Sequence, residues 1–172
     1  DQGTDFLAVQ RIGPKPLRNK TGWFGRDYAR SLEGVAVPRV THEIGQWVAY
    51  PDFSVIDKFK GYLRPGNYEI MRDAARANGV PEQNREFALA CGAFQLACYK
   101  EETEAALRTR GIAGYQLLDL HDYLGQGTAL VGVLDAFWEP KGYASPKEFR
   151  RFNGETVPLA RIGRRVFTTA EQ

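Results

Sequence analysis

Glu43 closes the apolar run Val35-Ala36-Val37-Pro38-Arg39-Val40, inside the stretch Thr41-His42-Glu43-Ile44-Gly45-Gln46-Trp47. The β-branched residues Val35, Val37 and Val40 suit a strand buried on both faces. Beyond them the chain changes character, and His42, Glu43, Gln46, Trp47 and Tyr50 supply an acid, an imidazole, an amide and two aromatic rings. A carboxylate at the C-terminal end of a parallel strand can attack or protonate at a sugar's anomeric centre, with aromatic rings as the pocket wall. A lone Glu after a strand is more often a solvated loop residue, so position alone does not assign that chemistry.

A second run of the same kind is Ile112-Ala113-Gly114-Tyr115-Gln116-Leu117-Leu118-Asp119-Leu120-His121-Asp122. Gln46 and Gln116 are candidate donors to sugar hydroxyls. Asp119, His121 and Asp122 are further candidates for hydroxyl contacts. Strand alternation sends His42 to the side opposite Glu43, which makes it a supporting residue rather than a direct ligand.

The elements that must hold these groups are read in order. Residues 5–12 suit a strand, ended by Gly13, Pro14 and Pro16. Residues 13–25 form a basic loop that carries Trp23 and Phe24, and 27–32 a short helix before Gly34. Strand, helix, strand favours a parallel sheet. Asn67 is the expected cap of a helix with the apolar stripe Ile70, Met71, Ala74 and Ala75, which Asn78-Gly79 ends. Pro81 opens a second helix with Phe87, Cys91, Phe94, Cys98 and Ala105 on one face. Glu101 shares that face, and a buried acid there needs a hydrogen bond or an ion pair.

Ala129–Phe137 is apolar without a decisive period. Ser145-Pro146-Lys147-Glu148 is a capping box that starts a helix through Phe149 and Phe152 to about Asn153. Arg165–Thr168 suits a final strand.

The chain has 172 residues, 43% hydrophobic and 26% charged, as in a globular protein. It is too short for a complete eight-stranded (β/α) barrel, which takes about 250 residues. A net charge of +2, with only Arg161, Arg164 and Arg165 clustered, gives no basic face for nucleic acid. No apolar run is long enough to span a membrane. Asp1 rather than Met heads the chain, so an expected longer polypeptide or removed segment precedes it. Cys91 and Cys98 lie two helical turns apart, about 10 Å along the axis, too far for a disulfide. No His partners them at ligand spacing, so no metal is expected there; no cofactor is expected for the chain either.

Thr41–Trp47 with Tyr50-Pro51-Asp52 resembles a segment of bacterial proteins of the glycoside hydrolase family 2 type, which are β-galactosidase-like. Lys100–Arg108, Gly114–Leu120, Gly125–Gly132 and Asp135–Trp138 fit the same pattern, so the resemblance covers roughly residues 35–168. It implies an α/β fold: the last strands and helices of a (β/α)8 TIM barrel over 1–160, with 161–172 as linker or first strand of a following β-sandwich. It also implies retaining hydrolysis of terminal β-linked sugars in an oligosaccharide or polysaccharide, in the periplasm or outside the cell. Glu43 would be the nucleophile at the end of the seventh strand, and Gly114–Leu120 the eighth strand. The acid/base of such proteins is a Glu preceded by Asn, and no Asn-Glu pair occurs in this sequence. That residue is expected from absent upstream sequence, with the missing strands from the same polypeptide or another chain. The 172 residues alone are therefore expected to be inactive on aryl β-glycosides. Leu118 and Asp119 stand where many family members carry a Trp near the end of the eighth strand.

Two other readings compete. One is a non-catalytic carbohydrate-binding or scaffold α/β domain that keeps the aromatic surface without the acid pair. The other is a small α/β domain with an unrelated ligand at its strand ends.

Overall fold

The computed structural model describes residues 7–9, 11–12, 15–16, 25–127, 130–162 and 166–171. It is a mixed α/β chain with a small parallel sheet and several helices. The strands are β1 (Leu7–Val9), β2 (Arg11–Ile12), β3 (Lys15–Pro16), β4 (Arg39–Ile44) and β5 (Ile112–Leu117). The helices are α1 (Gly66–Ala77), α2 (Asn84–Arg108) and α3 (Pro146–Arg150). The chain divides into two compact units: residues 1–44, 99–117 and 150–172 form the first, and 45–98 with 118–149 the second. Helix α2 contributes to both.

In the first unit β4 is the centre of a sheet in the order β1-β4-β5, parallel to both neighbours. The expected strand over 5–12 is β1 followed by a short piece, β2, which pairs antiparallel with β3 inside the expected loop. Trp23 and Phe24 lie outside the described residues. The expected helix over 27–32 is a 3-10 turn at Ala29–Leu32.

Tyr28, Ala105 and Ala106 form the unit's core, with Ile112 and Tyr115 packed on it. The last turns of α2 are buried all round from Glu101 to Ala106, so acids sit where a one-sided helix would have apolar groups. Arg108 makes this tolerable. Its Nη2 donates to Glu101 Oε1 at 2.5 Å and its Nη1 to Glu104 Oε2 at 3.2 Å. Its Nε donates to the Arg26 carbonyl at 3.0 Å. Lys100 Nζ lies 2.5 Å from the other Glu104 oxygen, and Gly25 N donates to Glu101 at 2.9 Å. Glu101 thus braces a neighbouring segment, as its place on the helix requires.

In the second unit Val55, Tyr68 and Leu130 form the core, with Ile56, Phe59 and Leu124 against it. Helix α1 begins after Pro65, which caps without a side-chain bond. Asn67 lies inside the helix, not at its cap, and its Nδ2 donates to the Gly127 carbonyl at 2.9 Å. The buried face of α1 is Tyr68 with Ala75, while Ile70, Met71 and Ala74 are exposed. Period alone did not reveal this, because Tyr68 is the larger apolar surface and it turns that face inward. Asn78 ends the helix and Gly79 follows at φ +71°, a left-handed position that suits glycine.

Pro81 opens a 3-10 turn that runs into α2. Phe94 and Phe87 are exposed, unlike Cys98 and Ala105. Both cysteines are free thiols. Residues 130–137 form neither a helix nor a named strand; Leu134 makes isolated bridges with His121 and Pro140. The Ser145 capping box is present: Glu148 N donates to Ser145 Oγ at 3.2 Å and Ser145 N to Glu148 Oε2 at 2.9 Å. Helix α3 ends at Arg150 rather than Asn153. Residues 166–168 form no strand, and Arg165 lies outside the described residues.

Candidate active site at the ends of β4 and β5

Along β4, Arg39 and Thr41 point to a buried face and Val40 and His42 to the other, as alternation requires. The pattern then breaks. Thr41 pairs with Tyr115 and Ile44 with Leu117, so His42 and Glu43 together face the single residue Gln116. This bulge is where Glu43 takes φ +53°, a left-handed backbone that a non-glycine residue adopts at a cost. Ile44 is buried immediately after it.

The bulge changes what alternation implied. His42 and Glu43 do not diverge: His42 Nε2 lies 3.5 Å from Glu43 Oε1. On its other side His42 Nδ1 lies 2.9 Å from Gln116 Oε1. The Glu43 carboxylate is about one-third exposed, with side-chain accessibility of 35%. An acid, an imidazole and an amide therefore lie side by side at the C-terminal edge of two neighbouring parallel strands. That is the edge at which α/β folds place ligands.

The other sequence candidates belong to the second unit. Tyr50 packs its ring against Phe53 and Phe87, at 5.9 and 5.6 Å between centroids. The Trp47 carbonyl accepts from Gln95 Nε2, and both Gln46 and Trp47 are half-buried. Asp119 accepts from Leu120 N at 2.6 Å and lies 3.9 Å from His121 Nε2. Asp122 is buried and committed to the interior. It accepts from Tyr68 Oη at 3.1 Å, Gly132 N at 3.1 Å and Lys141 Nζ at 2.6 Å. Burial pushes its carboxyl above the usual range although Lys141, Gly132 and Tyr68 pull it down. Burial likewise pushes the Lys141 ammonium down and the Tyr68 phenol up.

Trp138 closes the Asp135–Trp138 segment but is not among the residues that the sequence offers as a site. It is 60% exposed, has φ +66°, and packs on the His121 ring at 4.4 Å between centroids. Only its place after Asp135-Ala136-Phe137 marked it beforehand, and that gives no hint of exposure. Among the described residues no group of three or more His, Cys, Asp or Glu is placed to hold a metal ion, and no helix is long and apolar enough to cross a membrane.

No protein-family model matches the chain, and no curated protein sequence matches it.

Proposed function

We propose that the chain carries part of the catalytic barrel of a retaining exo-β-glycosidase, with Glu43 as the nucleophile. One observation carries the reading: a carboxylate held in a strained left-handed backbone, at a bulge on the ligand-binding edge of a parallel sheet. A parallel sheet in the order β1-β4-β5, with the β2-β3 pair inserted between its first two strands, also suits a piece of such a barrel.

In this reading the ionised Glu43 carboxylate attacks the anomeric carbon as the leaving oxygen takes a proton from a second carboxylic acid. Water then attacks the glycosyl ester and releases the sugar with its configuration retained. The second acid comes from sequence outside these residues. The Gln116 oxygen is engaged by His42, so its amide N–H groups are turned to donating to a sugar hydroxyl. His42 holds the Gln116 amide in place.

The test is kinetic. In a polypeptide that includes the upstream strands, Glu43→Gly is expected to lower kcat/KM on an aryl β-glycoside by about 10³-fold, which corresponds to ~4 kcal/mol. Azide, attacking in place of the missing carboxylate, should restore turnover and yield the α-glycosyl azide. Turnover that survives Glu43→Gly without azide contradicts the assignment.

A non-catalytic carbohydrate-binding role is the second reading, favoured by the exposed Trp138 ring on His121. Under it Trp138→Ala abolishes sugar binding and no variant affects hydrolysis, because there is none.

A further inference from the structure

The second unit contains a cavity of about 520 Å³, within the range of roughly 300–1,000 Å³ in which small-molecule sites fall. Its wall includes Asp52, Lys58, Glu82, Arg85, Asp135 and Lys141. None of these was a candidate from the sequence.

The charges are arranged in pairs. Arg85 Nη1 lies 2.6 Å from Asp52 Oδ2 and 3.2 Å from the Lys141 carbonyl. Lys58 Nζ contacts Asp135 and lies 2.7 Å from Glu139 Oε2. Lys141 Nζ lies 2.6 Å from Asp122. Burial pushes Asp52 and Asp135 up, but hydrogen bonds from Ser54 and Arg85, and from Lys58, outweigh it and hold both carboxyls below their usual range.

Pairing does not exhaust the hydrogen-bonding capacity. An ammonium has three donors and a guanidinium five, while a carboxylate accepts at two oxygens with several lone pairs. Lys58 has one N–H left after its two acids, and the Arg85 Nε and Nη2 protons have no partner among the described residues. Glu82 makes no ion pair among the described residues either. Gly142 has φ +91°, and a Cβ on it would stand 2.8 Å from Arg85 Nη2, so its bare backbone makes room for the guanidinium.

A free anion would have to compete with carboxylates already seated on each cation. A hydroxyl need not. Two adjacent hydroxyls can accept from the lysine or guanidinium and donate to its carboxylate, leaving the ion pair intact. We propose that this cavity binds a neutral, hydroxyl-rich small molecule of monosaccharide size. The site is separate from the Glu43 assignment and does not depend on it.

Saturation-transfer NMR and calorimetry on the full chain test it, with D-glucose, D-galactose and D-mannitol as probes and inorganic phosphate and glycine as comparators. At least one neutral probe is expected to bind. Arg85→Met should weaken it roughly tenfold and Glu82→Gln roughly threefold, the effects of losing charged and single hydrogen bonds. Glu82 is exposed and has no ion pair among the described residues, so that variant keeps its fold. Glu43→Gln should leave the affinity unchanged. No binding by any neutral probe, tighter binding of phosphate or glycine, or a signal lost with Glu43→Gln but kept in Arg85→Met and Glu82→Gln would overturn the proposal.

Discussion

His42 Nδ1 lies 2.9 Å from Gln116 Oε1, so the imidazole at the end of one strand is tied to the amide at the end of the next. An amide oxygen only accepts, so the proton of the neutral ring sits on Nδ1 and the Nε2 lone pair is left on the side of Glu43. Long-range ¹H–¹⁵N spectra of histidine-labelled chain should show His42 as the Nδ1–H tautomer. Gln116→Leu should return it to the Nε2–H form. An Nε2–H ring in the parent chain contradicts the arrangement.

Glu43 holds its carboxylate at a backbone cost. With φ +53° the position suits glycine, so Glu43→Gly is expected to stabilise the fold by about 1 kcal/mol. Glu43→Val, β-branched at the same φ, should destabilise it. Urea unfolding of the two variants checks this. Destabilisation by Glu43→Gly would show that the side chain supports the fold rather than being strained by it.

Arg108 joins Glu101, Glu104 and the Arg26 carbonyl in the buried end of α2. Removing it leaves two acids without their shared cation. Arg108→Ala is expected to cost about 3–5 kcal/mol. Arg108→Lys should recover little, because an ammonium cannot reproduce the forked geometry. Urea midpoints measure both, and a loss under about 1 kcal/mol would contradict the role given to Arg108.

Much of this was visible in the sequence and some was not. A strand carrying Glu43 (although it runs Arg39–Ile44 and leaves Val35 and Val37 ahead of it), the parallel partner carrying Gln116, the ends at Asn78-Gly79 and the Ser145 capping box follow from local rules of side-chain period, turn residues and reciprocal hydrogen bonds. A buried role for Glu101 followed from its helix face. The bulge at His42-Glu43 did not, because it arises from pairing with β5, which is far away in sequence. For the same reason alternation misplaced His42. The apolar stripes of α1 and α2 misplaced Ile70 and Phe94, since which face is covered depends on what packs there. The lining of the cavity, drawn from residues 52 to 141, had no local signal at all.

Acid titration tests the carboxylates that brace the structure. Burial pushes Asp27, Asp52 and Asp135 up, but hydrogen bonds and cations (Arg161, Arg85 and Lys58 respectively) more than offset it, and all three lie below the usual value. In the unfolded chain they take up protons near pH 4, and in the folded chain only at lower pH. Their contribution is complete above about pH 4 and is lost as pH falls through the folded values. Asp122 has the opposite sign: its raised carboxyl protonates first in the folded chain, so it weakens the fold as pH rises from about 4 through its higher folded value. The urea midpoint should drop between about pH 4 and pH 2, and drop less in Asp135→Asn. A midpoint flat across that range, or an unchanged slope in Asp135→Asn, contradicts the ion pairing.

The nucleophile assignment is tested most directly by covalent trapping. A polypeptide extended to include the upstream strands that the proposal requires is treated with a 2-deoxy-2-fluoro-β-glycosyl fluoride, whose slow second step lets the glycosyl ester accumulate. Tandem mass spectrometry of the tryptic peptide Val40–Lys58 should then find the sugar on Glu43. Active enzyme that carries the label on another acid, or on none, contradicts the account.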